Sequence, residues 1–486
     1  MPKTLLIVAA AVLTAAGCAR KEAASAQPAP PASDTATPAS AGPEGPPAAQ
    51  APAPDRFSRA NIDEARVTHL DLDLSVNFEE RIVEGVATLD FERVKADAAK
   101  LLLDTNDLDI RSVEAGSADG FAPAKFTLGA DDPMLGSALA IEVPDGATRV
   151  RIAYASSPGA QGLQWLSPEQ TSGRAHPFMY SQNQTIYARS MAPVQDTPAV
   201  RMTYSATVRT PPELIAVMSA GQDNGPRDGE YRFVMEQPVP AYLLAIAVGD
   251  LAFAPLSPTI GVYAEPSVLE AARAEFADTP KMEVAASELY GAYRWDRYDL
   301  LVLPPSFPFG GMENPRLSFL TPTLIAGDKS LTNVVAHELA HSWSGNLVTN
   351  ASWRDAWLNE GVTSYVEDRI MESLYGEERA AMEQALSFSD LADMLTTTYR
   401  RARQSIPANW SEAEGETLHE LRRRVVEHRY QMELIEPIWP RLGRIWVDEA
   451  QQLRTRLGKY QDLEGRLQAF ANIVAGTVRV ATVHSV

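Results

Sequence analysis

The sequence predicts an α+β multidomain chain, an antiparallel β domain followed by a mainly helical half. Two observations carry this. Apolar and polar residues alternate in "HLDLDLSVNFEERIVEGVATLDFERV", "RVRIAYAS", "VRMTYSATVRT" and "YLLAIAVGDLAFAPL", the pattern of half-buried strands, so residues 56–256 read as the β domain. From "EPSVLEAARAEFADTP" onward the period lengthens, and helices with short connections take over. At 486 residues there is room for several cores, and 45% hydrophobic with 22% charged residues is the balance of a globular protein. A net charge of -20 argues against nucleic acid as a partner and suits cationic groups such as peptide N-termini.

Residues 1–18, "MPKTLLIVAAAVLTAAGC", read as a leader: Lys3, an apolar run Leu5–Ala16 too short for a comfortable membrane span, then Ala16-Gly17-Cys18. The Gly-Cys ending resembles a bacterial lipobox, although Ala15 stands where such motifs prefer leucine, and it implies a lipid anchor at Cys18. A plain cleaved signal with an incidental cysteine is the alternative. Ala19 after the cysteine points, by resemblance, to the outer membrane. The expectation is therefore an exported protein of the bacterial cell envelope, an outer-membrane or periplasm-facing lipoprotein. The single cysteine excludes intrachain disulfides. Residues 19–55 are rich in Ala and Pro, hold almost no large apolar side chain, and read as a disordered tether.

Chemistry concentrates in "VVAHELAHSWSGNLVTNASWRDAWLNEGV". His337-Glu338-Leu339-Ala340-His341 is H-E-x-x-H inside a run free of Pro and Gly from Leu331 to Trp343. On a helix, residues four apart share a face, so the two imidazoles converge on one ion, zinc. Catalytic zinc takes three protein ligands and keeps one position open. Glu360, nineteen residues after His341, sits on a second helix behind the loop Gly345–Asp355 and completes a His337, His341, Glu360 set for one Zn2+ per chain. Glu338 then serves as the base toward the attacking water. Glu367 reads as a solvated helix charge or a group supporting the ligands rather than a ligand.

"FPFGGMENP", "LTPTLIAGDKSLTNVVAHELAHSWSGNLVTN" and "WLNEGVTSYVEDRI" resemble the zinc aminopeptidases that include aminopeptidase N and the leukotriene-hydrolase-like enzymes. "PFMYSQNQTIYARSMAPVQDTPAVRMTYSATVRTPPELIAVMSAG" is similar to the leukotriene-hydrolase branch, and the resemblance runs over about 55–394. It implies a thermolysin-like zinc catalytic domain over 257–394, truncated, acting on peptides with a free N-terminus. By resemblance Gly310, Gly311 and Met312 lie along the substrate backbone and Glu313 pairs with its α-amino group. Gln182 and Gln184 help shape that subsite. The family also uses a downstream tyrosine to stabilise the oxyanion. Tyr365, Tyr375, Tyr399, Tyr430 and Tyr460 all follow Glu360 outside its usual motif.

The last stretch, 395–486, resembles part of a CHAD (conserved-histidine α-helical) domain, through Leu418-His419-Glu420-Leu421-Arg422, His428, Tyr430 and Leu457-Gly458-Lys459. That resemblance implies polyphosphate binding, which suits Arg400, Arg401, Arg403, Arg422, Arg423, Arg424 and Lys459. The bland reading makes these residues solvated faces of amphipathic helices, with His419 and His428 packing. The primary expectation is a zinc-dependent aminopeptidase. The alternatives are a catalytically impaired, zinc-bound peptide-binding protein and a cell-surface polyphosphate-binding fusion. Epoxide hydrolysis is implied by resemblance only.

Overall fold

The computed structural model describes residues 55–222, 228–407, 415–435, 444 and 447–459. The described residues up to Gly376 form one compact unit and those from Glu377 onward another.

In the first unit, eight strands make one sheet in the order Gly221–Gln222, Glu230–Val239, Met202–Arg209, Ala65–Asn77, Ile82–Arg93, Arg149–Ala155, Asp109–Ser117 and Gly120–Pro123. The alternation seen in the sequence is real burial. Leu70, Leu72 and Leu74 face inward, each contributing about 1.5–3 kcal/mol of hydrophobic stabilisation. A bulge between Val67 and His69 switches which parity points inward, from Ala65 and Val67 to the even-numbered leucines. The sheet is not wholly antiparallel, because Ala65–Asn77 pairs parallel with Met202–Arg209. Two smaller sheets complete the region. Lys100–Thr105, Ser137–Glu142 and Phe126–Leu128 form one, and Ile215–Met218, Ile246–Gly249, Phe178–Ser181 and Leu163–Leu166 the other. Strand Phe178–Ser181 is buried throughout, and the chain leaving it carries Gln182 and Gln184.

The following region is less helical than the sequence suggests. Five strands, in the order Ala252–Pro255, Ile260–Ala264, Tyr298–Val302, Leu317–Leu320 and Gly311–Met312, form a mixed sheet. Its hairpin 252–264 straddles the boundary expected at 256. The reason it escapes a period-two reading is burial on both faces: every residue of Tyr298–Val302 and Leu317–Leu320 is inside, so no alternation is left. Helices α1 (Leu269–Glu275), α2 (Thr279–Tyr290), α3 (Asn333–Ala340) and α4 (Trp357–Tyr375) accompany the sheet. Val335, Ala336, Leu339 and Ala340 of α3 share a buried cluster with Val366, Ile370 and Met371 of α4 and with Leu300 and Val302. That apolar face fixes the rotation of α3.

In the second unit, α5 (Glu377–Gln404) and α6 (Gly415–Ile435) are followed by helical residues 447–459. Leu418, Leu421, Val425 and Leu457 form its core.

Candidate metal centre

With the apolar face of α3 turned inward, the two histidines and Glu338 fall on the faces that remain. His337 and His341 stack edge to face with ring centroids 4.9 Å apart. From α4, Glu360 brings Oε2 to 3.5 Å from His337 Nε2 and 3.6 Å from His341 Nε2. One donor atom from each of His337, His341 and Glu360 lies within 4.8 Å of the others. The first turn of α4 is held by a reciprocal amide pair. Asn359 Nδ2 donates to Asn350 Oδ1 at 2.6 Å, and the Asn350 backbone N–H donates to Asn359 Oδ1 at 3.1 Å.

The remaining ring nitrogens are engaged, which leaves both Nε2 atoms aimed at Glu360. His337 Nδ1–H donates to Glu367 Oε2 at 2.8 Å, so Glu367 is neither a ligand nor a solvated charge but the group that orients His337. His341 Nδ1 lies 3.0 Å from the Ser344 carbonyl oxygen. Gly345, at φ +118°, makes this turn possible, since a Cβ there would sit 2.8 Å from His341 Nδ1. Two imidazoles, each backed by a hydrogen-bonding partner, and a carboxylate are a donor set that fits zinc.

Charge is finely divided here. Burial raises the Glu338 carboxyl to about 8, against the pull of His337 and His341. Glu338 Oε2 is buried without a hydrogen-bond partner, an orphan that a cation or a bound water would satisfy. Burial also raises Glu313. Burial would raise Glu360 too, but His341 and His337 hold it well below the usual carboxylate range. Burial would lower His341, yet Glu360 and Glu313 lift it to about 9. Carboxylates set around the imidazoles thus make this a pocket that accepts positive charge.

The glycine-rich edge strand Gly311–Met312 runs beside α3. A Cβ on Gly311 would lie 2.3 Å from Glu338 Oε1 and 2.5 Å from its Cγ, whereas one on Gly310 would meet only Val334 at 3.5 Å. We expect Gly311→Ala to displace Glu338 and, with Glu338 as the base expected from the sequence, to cut turnover by about a hundredfold or more. Gly310→Ala should be mild. Parallel rate measurements on the two variants check the contrast.

Glu313 follows this strand, 4% exposed, and its carboxylate lies within 4.8 Å of donor atoms of Glu338 and His341. Gln184 Nε2 donates to Glu313 Oε1 at 3.1 Å, and Gln182 Nε2 reaches Met312 Sδ at 3.1 Å. All ten residues that the sequence assigns to the metal and the peptide subsite thus lie in the first unit. Sequence reasoning missed three others. Tyr242 is buried with its hydroxyl unpaired, against Trp353, and feels Glu313 and Glu360 electrostatically. Asn346 and Arg201 brace the backbone of the centre, as described below. Asn346 stood inside the quoted motif, but nothing in its neighbours signals what it touches. Of the downstream tyrosines in this unit, Tyr365 is 56% exposed and the Tyr375 hydroxyl donates to Asp278 Oδ2 at 3.3 Å. Tyr460 lies outside the described residues.

In the second unit, Arg423 and Arg424 pair with Glu420, and Arg424 also with Glu427, along α6. These are amphipathic-helix charges. His428 Nδ1 lies 3.1 Å from Thr398 Oγ1 in a packing position.

Comparison with known proteins places the chain. Residues 66–243 match the Peptidase M1 N-terminal domain and residues 276–418 the Peptidase family M1 domain. Leukotriene A-4 hydrolase of Xenopus laevis is 42% identical over 359 residues, covering 71% of this chain and 58% of that protein. Leucine aminopeptidase 2 of Yarrowia lipolytica is 40% identical over 354 residues, 71% of this chain and 53% of the relative. The chain thus spans little more than half the length of these curated relatives. The structure of yeast LTA4 hydrolase in complex with bestatin superposes with a TM-score of 0.68 at 32% identity, covering 87% of this chain and 68% of that one. The native yeast enzyme gives 0.67 at 39% identity, with 71% and 55% coverage.

Two expectations change here. The placement as an exported envelope lipoprotein is corrected: the relatives compared bear the names of leukotriene A-4 hydrolases and leucine aminopeptidases. Among the described residues no helix is long and apolar enough to cross a membrane, while residues 1–18, with Cys18, lie outside them. The CHAD resemblance and its polyphosphate ligand find no support either, and the M1 match itself runs to residue 418, through Arg400, Arg401 and Arg403. Members of the matched family hold one zinc ion, and the donor set of α3 and α4 suits it. Matched through both the β domain and the helices that carry these donors, the chain belongs to peptidase family M1.

Proposed function

We propose that the chain is a zinc aminopeptidase that removes single residues from peptides with a free N-terminus. The observation that carries this reading is the buried Glu313 carboxylate, within 4.8 Å of donor atoms of Glu338 and His341. A carboxylate fixed so close to the reacting centre rewards an ammonium group one residue before the scissile bond, and charge-assisted pairing makes that reward large.

His337, His341 and Glu360 would hold the ion. When bound, zinc polarises the attacking water and the scissile carbonyl, and its charge draws the Glu338 carboxyl back down into its ionised form. Glu338 takes the proton from the water and passes it to the leaving amine. Its orphaned Oε2 has no protein hydrogen bond to break first. Glu313, steadied by Gln184, binds the α-amino group, while Gly310, Gly311 and Met312 offer the substrate an edge strand with little side-chain bulk.

The test compares leucine arylamide with its N-acetylated form. The parent chain should strongly prefer the free amine. Glu313→Gln should raise KM for the free-amine substrate by about tenfold or more while zinc stays bound, as expected for loss of a charge-assisted pair. Equal handling of both substrates by the parent chain would overturn the aminopeptidase reading. Tyr365 and Tyr375, placed as described above, favour a second reading, an impaired enzyme that binds peptides through the same site. Ligand binding without measurable turnover would select it.

A further inference from the structure

Asn346 touches both halves of the centre. Its backbone N–H donates to the carbonyl of His341 at 3.0 Å, and its side-chain Nδ2 donates to the carbonyl of Glu313 at 2.8 Å. It is 1% exposed, so neither bond competes with bulk water. One residue therefore spans from the end of the ligand-bearing helix to the strand that presents the amine-binding carboxylate.

The strut is itself held from a third direction. Arg201, at the entry to strand Met202–Arg209 of the β domain, donates from Nη2 to the carbonyls of Asn346 at 2.7 Å and Pro238 at 2.8 Å. Its Nη1 bonds Thr349 Oγ1, and that hydroxyl donates in turn to the Gly345 carbonyl at 2.6 Å. The turn 345–349 is thus pinned to the β domain by the forked guanidinium. Glu313 is gripped at both ends, at its carboxylate by Gln184 and at its backbone by Asn346. The carboxylate grip fixes where the charge points. The backbone grip fixes how far it stands from His341.

We propose that Asn346 is a positioning residue that sets the separation between Glu313 and the His341 side of the centre, with Arg201 as its support, and that it thereby makes the site selective for a free α-amino group. The proposal rests on the amine-binding reading of Glu313. Removal of the side-chain amide frees the Glu313 backbone while leaving His337, His341 and Glu360 in place. Affinity for zinc should then survive while discrimination at the N-terminus is lost.

The experiment measures binding rather than turnover. The zinc-loaded chain is titrated by calorimetry with leucine hydroxamate and with N-acetyl-leucine hydroxamate, and zinc is quantified in each protein. Asn346→Ala should keep one zinc per chain and bind the acetylated probe as the parent does. Its affinity for the free-amine probe should fall about tenfold, the scale of one lost buried hydrogen bond to a recognition group. A purely structural role would weaken both probes together or release zinc, and that outcome overturns the proposal, as does an unchanged preference. Should Asn346→Ala fail to fold, Arg201→Lys, which keeps the charge but loses the fork, is expected to lower the same ratio in the same direction. An unchanged ratio in that variant overturns the proposal equally. A parent chain with no preference for the free amine overturns the reading of Glu313 itself, whereas a discriminating parent with an unaffected variant overturns only the role of Asn346.

Discussion

Glu338→Gln will keep one zinc ion per chain and lose turnover by about three orders of magnitude, within the range for a general base. The substitution is nearly isosteric, and size matters here because Gly311 leaves Glu338 no spare room. The chemistry changes completely. An amide nitrogen donates where a carboxylate accepts, so the proton of the attacking water has nowhere to go. Because burial raises the Glu338 carboxyl to about 8 in the metal-free chain, the charged form is costly before zinc arrives. Removing that charge should not cost stability, and the metal-free variant should melt at or above the parent near pH 9, where the parent's carboxyl is ionised. Metal analysis, a rate assay and thermal unfolding measure the three quantities. Near-parental turnover would place the base elsewhere.

His341→Ala will abolish stoichiometric zinc, with affinity falling by at least about a hundredfold, since even outer partners of metal ligands are worth 10–100-fold. In the parent chain, zinc loading will be coupled to proton release. Burial lowers His341, but Glu360 and Glu313 outweigh it and bring the imidazole to about 9, so the metal-free site carries a proton at neutral pH. The sign follows directly. A raised folded pKa means the proton is held until the pH passes about 9, and zinc must displace it below that point. Apparent zinc affinity should therefore climb from pH 6 toward 9, well above the window of an ordinary histidine. Calorimetry in buffers of different ionisation enthalpy reads the released protons directly. No proton release at pH 7 would show that the imidazoles are neutral before metal binds.

Much of this centre was legible in the sequence because its geometry is local. Two histidines four apart on a helix share a face whatever surrounds them, and a carboxylate after one loop and a helical start can return to that face. The alternation in "HLDLDLSVN" likewise records one buried sheet face, residue by residue. The Glu367 contact was half legible: it sits two turns beyond Glu360, but its pairing with His337 depends on how α3 and α4 cross. The five-stranded sheet was not legible, because strands buried on both faces lose the period that marks a strand.

What only the tertiary structure decided are the distances between segments far apart in the chain. Glu313 stands beside His341 because an edge strand is laid against α3, and Gly311 is required because that strand runs so close that any side chain would strike Glu338. Gln184 meets Glu313 across 129 positions, and Arg201 meets Asn346 across 145. Such contacts leave no periodic trace, since each partner is chosen by the packing of whole sheets and helices rather than by its neighbours. The sequence by itself determined which donor groups the two helices bring together. Packing of the β domain against the helices decided where the Glu313 carboxylate stands, because only a folded core holds a buried carboxylate at a fixed distance from other donor groups.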